Sequence, residues 1–151
     1  FILFARNVET PEQLRRLTGD LRAAVGRDAP ILVDQEGGRV QRLRAPHWRE
    51  WTPPLDAIAA AGANAARMMA LRMTLLAHEL HAVGIDANCA PVCDIARPGT
   101  HPFLQNRCYG RSAAEVTPIA RAVAGAMLAQ GVLPVMKHIA RPVGRSQARH
   151  P

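Results

Sequence analysis

Four short apolar runs, separated by segments of helical period or by long polar connections, constrain this chain more than any other feature. The runs are Ile2 to Phe4, Ile31 to Val33, Ile85 to Ala90 and Leu133 to Met136. A short continuous apolar run such as Ile31 to Val33 is the pattern of a buried parallel strand, and Ile85 to Ala90, though broken by Asp86 and Asn88, reads as the next strand. After the first run, Thr10-Pro11-Glu12-Gln13 opens a helix, with Thr10 as N-cap, Pro11 at the first helical position and Gln13 completing a capping box. Leu14, Leu17, Leu21 and Val25 supply its apolar stripe, and Gly26 ends it. Ala63 to Val83 predicts a second helix, with Met68, Leu71, Leu75, Leu76, Leu80 and Val83 on its inner side and Gly84 as its stop. Ser112 and Glu115 form a capping box for a third helix, running to about Gln130 and closed by Gly131. The resulting order, strand and helix alternating from β to β, is that of a parallel α/β sheet. Four such strands make either half of a barrel or most of a small doubly wound sheet.

Two connections are long, Asp34 to about Pro54 and Pro91 to Arg111. Connections of that length in a compact domain are functional or disordered. Polar residues follow every apolar run: Arg6-Asn7, Asp34-Gln35-Glu36, Asp94 and Lys137-His138. In barrels and doubly wound sheets alike, the carboxyl ends of the strands hold the site.

Charge and composition narrow the partners. The 19 basic residues exceed the 12 acidic ones, for a net charge of +7. All but Lys137 are arginines scattered along the chain, and Arg141, Arg145 and Arg149 fall in a terminal stretch that has no acidic residue. Aromatic residues make up only 4%, too few for a base-stacking surface, so no nucleic-acid partner is expected. No apolar run approaches the roughly 20 residues of a membrane span, and no export signal is visible, so no membrane partner is expected and the location reads as cytoplasmic. Cys89, Cys93 and Cys108 are odd in number and lack a second pair to complete a zinc set, which reads as reduced thiols. A chain that begins at Phe1, directly in a strand, reads as cut at its start.

Asp34-Gln35-Glu36-Gly37-Gly38-Arg39-Val40-Gln41-Arg42 is the densest polar segment. A carboxylate directly after a buried strand is held rigidly and can accept hydrogen bonds from a ligand's hydroxyls, and paired glycines allow close backbone approach. The same residues also suit a sharp turn carrying a solvated charge cluster, and the two readings stand level. The dinucleotide fingerprint and the phosphate loop are both missing, which disfavours a nucleotide-binding module. His78-Glu79-Leu80-His81 spaces its histidines by three rather than four and reads as a solvated helix face, not a zinc motif. Trp48 and Trp51 suit stacking on a sugar and packing of the loop equally.

The Asp34 to Arg42 segment resembles the glycoside hydrolase family 3 enzymes of the bacterial β-N-acetylhexosaminidase type. Four further stretches are similar to that family in order and spacing: Ile2 to Asn7, Gly84 to Ile95, Asn106-Arg107-Cys108-Tyr109-Gly110, and Val135-Met136-Lys137-His138. The resemblance implies a partial (β/α)8 TIM barrel of about four strand-helix units over residues 1–139, followed by an aberrant Arg-rich tail over 140–151. It implies Asp34, Arg42, Arg107, Lys137 and His138 as the sugar-binding set. It also implies an N-acetylglucosamine-containing carbohydrate substrate, of the kind released in peptidoglycan recycling, and no cofactor or metal. It fixes no oligomeric state.

Family enzymes retain configuration through a glycosyl-enzyme intermediate. Their nucleophile is an Asp on a later strand, beyond residue 151, and their acid/base is a His paired with an Asp in the loop after Lys-His. That loop reads P-G-H-G followed by D-S-H, and neither stands here. His150 falls near the expected position, but Ala148 replaces its Asp partner, so His150 is not assigned a catalytic role. The expectation is a truncated lineage member that is inactive alone, with a tail resembling a shifted reading frame; the alternatives are a non-catalytic sugar-binding fragment and, behind it, the nucleotide-binding module.

Overall fold

The structure is a computed structural model and describes residues 1–138. The expected boundary at 139/140, His150 and Ala148 lie outside the described residues. Four strands form one parallel sheet: β1 (Ile2–Leu3), β2 (Leu32–Val33), β5 (Ala87–Asn88) and β6 (Leu133–Pro134), in the order β1-β2-β5-β6. The register pairs Leu3 with Val33, Val33 with Asn88, and Asn88 with Pro134. Strands added one after another in a single direction, with no reversal, are barrel winding; a doubly wound sheet reverses its order at a switch point. The sheet order therefore favours the partial barrel implied by the resemblance over the doubly wound sheet that the strand pattern alone left open.

Helix α1 (Pro11–Val25) starts as expected, with the Gln13 backbone N–H donating to Thr10 Oγ1 at 3.1 Å. Gln13 Oε1 reaches one residue further back and accepts the Glu9 N–H, and Gly26 closes the helix at φ +63°. Helix α5 (Ala113–Ala129) begins with Glu115 N–H donating to Ser112 Oγ, while Glu115 Oε2 accepts from the Arg111 N–H. Helix α3 (Ala65–His81) packs against α5 and turns Met69, Met73, Leu76, Ala77 and Leu80 into the core. The expected stripe is corrected here. Leu71 and Leu75 are 59% and 45% exposed, and Val25 of α1 is also exposed. Leu76, Leu80 and Val83 of the expected stripe are buried, but the rest of the buried row is Met69, Met73 and Ala77 rather than Leu71 and Leu75, and it includes Arg72. An apolar-only pattern passes over that arginine.

The two long connections contain structure that the sequence pattern does not announce. The first folds back as an antiparallel pair, β3 (Gln35–Gly37) with β4 (Val40–Gln41), and ends in α2 (Pro54–Ala61). The second carries the short α4 (Pro102–Gln105). At the amino ends of the strands, Asp86 accepts the Ile31 N–H at 2.7 Å and pairs with Arg22 Nη2 at 3.0 Å. One charged pair and short turns suffice there. The carboxyl ends hold the long loops and most of the buried polar groups. No helix of the described residues is long and apolar enough to cross a membrane.

Candidate functional site

The first loop is built on two glutamines and an asparagine. Asn88, fully buried at the end of β5, accepts the Gln35 N–H at 2.9 Å and donates to the Gln35 carbonyl at 3.0 Å. A side-chain amide thus imitates a backbone ladder and fixes where the hairpin leaves the sheet. Gln35 Oε1 accepts the N–H groups of Arg42 and Leu43, and its Nε2 donates to the Leu43 carbonyl. Gln41 Nε2 donates to the carbonyls of Leu43 and Arg49, and its Oε1 accepts the Trp51 N–H. Both glutamines are buried. They satisfy backbone groups that a loop running through the interior would otherwise leave unpaired.

That scaffold presents two carboxylates two residues apart, Asp34 just before β3 and Glu36 within it, close enough for one ammonium to reach both. Asp34 takes Lys137 Nζ at 2.6 Å and Arg42 Nη2 at 3.1 Å. Glu36 receives Arg107 in a two-pronged pair, Nε to Oε2 at 2.9 Å and Nη2 to Oε1 at 2.8 Å. Lys137 Nζ also lies 2.5 Å from Glu36 Oε1 and so bridges the two carboxylates. The elements that meet here are the end of β2, the hairpin, the second loop and the segment after β6. Three cations on two carboxylates leave one formal positive charge.

Burial differs sharply within the cluster. The Glu36 side chain is fully buried and Arg107 is 7% exposed, whereas Asp34 and Arg42 are 20% and 24% exposed. Burial pushes the Asp34 carboxyl up, but the hydrogen bond and charge of Lys137 and the charge of Arg42 more than offset it, so Asp34 sits below the ordinary carboxylate range. Asp34 is thus an ionised, partly open acceptor flanked by donors that face it, which suits binding of vicinal hydroxyls.

Of the five sugar-binding residues expected from the sequence, Asp34, Arg42, Arg107 and Lys137 form this one network. His138 stands beside it: its Nδ1 is 2.6 Å from Asp94 Oδ2, and its ring is half exposed. Two participants were missed as site residues. Glu36 stands in the same dense motif, two residues after Asp34; Asp94 was noted only as polar after a strand.

Other groups fill supporting places. Arg72 donates to the Glu36 carbonyl at 2.7 Å, and its guanidinium lies 5.3 Å from the Trp51 ring centroid. Trp48 is buried in the core and Trp51 packs against it, so both tryptophans hold the loop down. Glu79 pairs with Arg49 at 2.6 Å, which ties the first loop to α3, and His78 and His81 are exposed. All three cysteines are free thiols, and burial pushes each one up in pKa, with the charge of Asp34 adding to this at Cys89. None is poised as a thiolate. Among the described residues, no group of three or more His, Cys, Asp or Glu side chains could hold a metal ion.

Residues 1–147 match the model of the glycosyl hydrolase family 3 N terminal domain. A beta-hexosaminidase of Methylococcus capsulatus is 39% identical over 138 residues, covering 91% of this chain and 40% of its own length. The structure superimposes on NagZ from Neisseria gonorrhoeae, solved in complex with N-trifluoroacetyl-D-glucosamine, with a TM-score of 0.81 and 30% identity, covering 91% of this chain and 41% of that one. A glycoside hydrolase family 3 beta-N-acetylglucosaminidase from a Paenibacillus gives a TM-score of 0.80 at 32% identity, covering 91% and 26%. The chain thus spans about two-fifths of the length of the curated relatives it matches.

Proposed function

The chain belongs to the glycosyl hydrolase family 3 N-terminal domain family, and from that membership we propose that its strand-end cluster is the sugar-recognition part of a β-N-acetylhexosaminidase site. The observation that carries the reading is Asp34, ionised, partly open and flanked by Lys137 and Arg42 at the carboxyl end of a parallel strand. A pyranose presents neighbouring hydroxyls that both donate and accept. Asp34 accepts from them, and Lys137 and Arg42 donate to them without competing as acceptors. Arg107 and His138 complete the proposed set around the ring.

The substrate proposed is a glycoside with a terminal N-acetylglucosamine, such as a muropeptide released during peptidoglycan recycling in the cytoplasm. The Neisseria relative's complex with an N-acylated glucosamine supports the sugar, and three free thiols fit a reducing compartment. Hydrolysis belongs to the longer family architecture. The described residues contribute recognition, and the stretch after Lys137-His138 carries neither P-G-H-G nor D-S-H. The role proposed for the described residues is to bind and orient the sugar ring.

Titration of the 151-residue chain with N-acetylglucosamine, followed by NMR or calorimetry, tests this. Saturable binding with Kd on the order of 1 mM, weakened about tenfold or more by Asp34→Asn, is the expected result. Absence of binding, or equal affinity in the Asp34→Asn variant, overturns it. Release of nitrophenol from the nitrophenyl glycoside of N-acetylglucosamine by the same chain overturns the assignment of recognition without catalysis.

A further inference from the structure

Glu36 is the one member of the cluster that a ligand cannot reach. Its side chain is fully buried, and its two oxygens are taken up by Arg107 and Lys137. Resting on the sugar-site reading, we propose that Glu36 is the positioning residue of this site: it sets the orientation of Arg107 and Lys137 and touches no substrate itself.

The geometry separates its role from that of Asp34. A two-pronged pair uses Nε and Nη2 together, and so fixes the plane of a guanidinium as well as its place. Arg107 comes from the second long loop, 71 residues along the chain, and the segment before it, from Arg97 to Gln105, is largely exposed. Lys137 follows β6, and a flexible ammonium held by Asp34 alone could swing about that single contact. Glu36 supplies the second point that fixes it. Glu36 is itself held from behind, since Arg72 binds its carbonyl. Without this buried carboxylate, Arg107 would face Lys137 with no negative charge between them.

The test pairs a spectroscopic readout with sugar binding. The Arg107 Nε–H resonance is identified in a 15N spectrum by its loss in Arg107→Lys, and its exchange with water is measured in the wild-type chain and in Glu36→Gln. We expect slow exchange in the wild type, acceleration of about tenfold or more in Glu36→Gln, and a comparable fall in N-acetylglucosamine affinity. Unchanged exchange in Glu36→Gln overturns the proposal, as does accelerated exchange with unchanged affinity. Glu36→Asp keeps the charge but shortens the reach and is expected to fall between; if neither variant folds, the residue is structural and the proposal fails. A wild-type chain that binds no sugar defeats the functional reading alone, because Arg107 exchange still reports whether Glu36 orients it.

Discussion

The two long loops at the carboxyl ends of the strands contribute to one site by opposite means. The first, after β2, is fastened from inside: Gln35, Gln41 and Asn88 are buried, and their amides satisfy the loop's backbone. The second, after β5, runs outside. Residues 97 to 105 are mostly exposed, with short-range bonds such as Arg97 N–H to Thr100 Oγ1. It re-enters the interior only at Arg107 to Gly110. The difference teaches that precision at this site is inherited from one loop and borrowed by the other, with the Glu36–Arg107 pair as the point of transfer.

The largest break in that comparison should come from Gln35→Leu. The replacement fills similar space but leaves the Arg42 and Leu43 N–H groups without an acceptor, at about 1–3 kcal/mol each, so a loss of about 4 kcal/mol is expected in chemical denaturation. Gly37→Ala should follow at about 3 kcal/mol, because its φ of +105° is strained for any side chain and the surroundings are full. A Cβ there would stand 1.9 Å from Arg72 Nη2 and 2.9 Å from Trp51 Cβ. The matching change in the second loop sharpens the contrast. Gly99 has φ +88° but nothing within 4 Å, so Gly99→Ala should cost only its backbone strain, about 1 kcal/mol. Equal losses at Gly37 and Gly99 would sink the distinction between the loops.

Acid discriminates between them without altering packing. Asp34 has its folded pKa lowered from 3.8, despite the upward push of burial, because Lys137 and Arg42 hold it charged. The stability it contributes is present above the unfolded value near 3.8 and is lost as pH falls through the lower folded value. Urea melts of the wild type and Asp34→Asn should therefore converge as pH drops below that range. The exposed span of the second loop from Arg97 to Asn106 contains no carboxyl group and should add nothing to this dependence.

How much of this was legible beforehand follows the same division. Strand and helix order was readable because apolar runs and helix caps are local, as Thr10, Ser112 and Gly26 show. The choice of barrel winding over a doubly wound sheet was not readable from four strands, since it depends on pairing between distant segments. That Asp34, Arg42, Arg107 and Lys137 come together could be anticipated through motif resemblance, whereas the place of Glu36 among them could not, because full burial, the property that makes it a positioning group, has no local signature. Arg72 was hidden for a related reason. A buried arginine bonded to a loop carbonyl breaks the apolar stripe that marks the face of α3; Leu76, Leu80 and Val83 of the expected stripe are buried, but Leu71 and Leu75 face outward and Arg72 takes a place in the inner row.

The smallest effect expected is also the one that most directly tests the independence of the second loop. Thr100→Ala removes the acceptor of an exposed hydrogen bond, and the Thr100 N–H can still donate to the Arg97 carbonyl at 2.9 Å. Water replaces the lost partner at little cost, so unfolding should shift by about 0.5 kcal/mol or less. Native-state hydrogen exchange gives the companion measurement. The Thr100 and Leu104 amides should open at free energies far below that of global unfolding, whereas the Gln35 amide, buried and bonded to Asn88, should exchange only with the whole fold. If Thr100→Ala costs as much as Gly37→Ala, or if Leu104 exchanges as slowly as Gln35, the outer span is cooperative with the core. Arg107 would then be placed by its own loop, and the Glu36 pair would no longer be the point at which the two loops are joined.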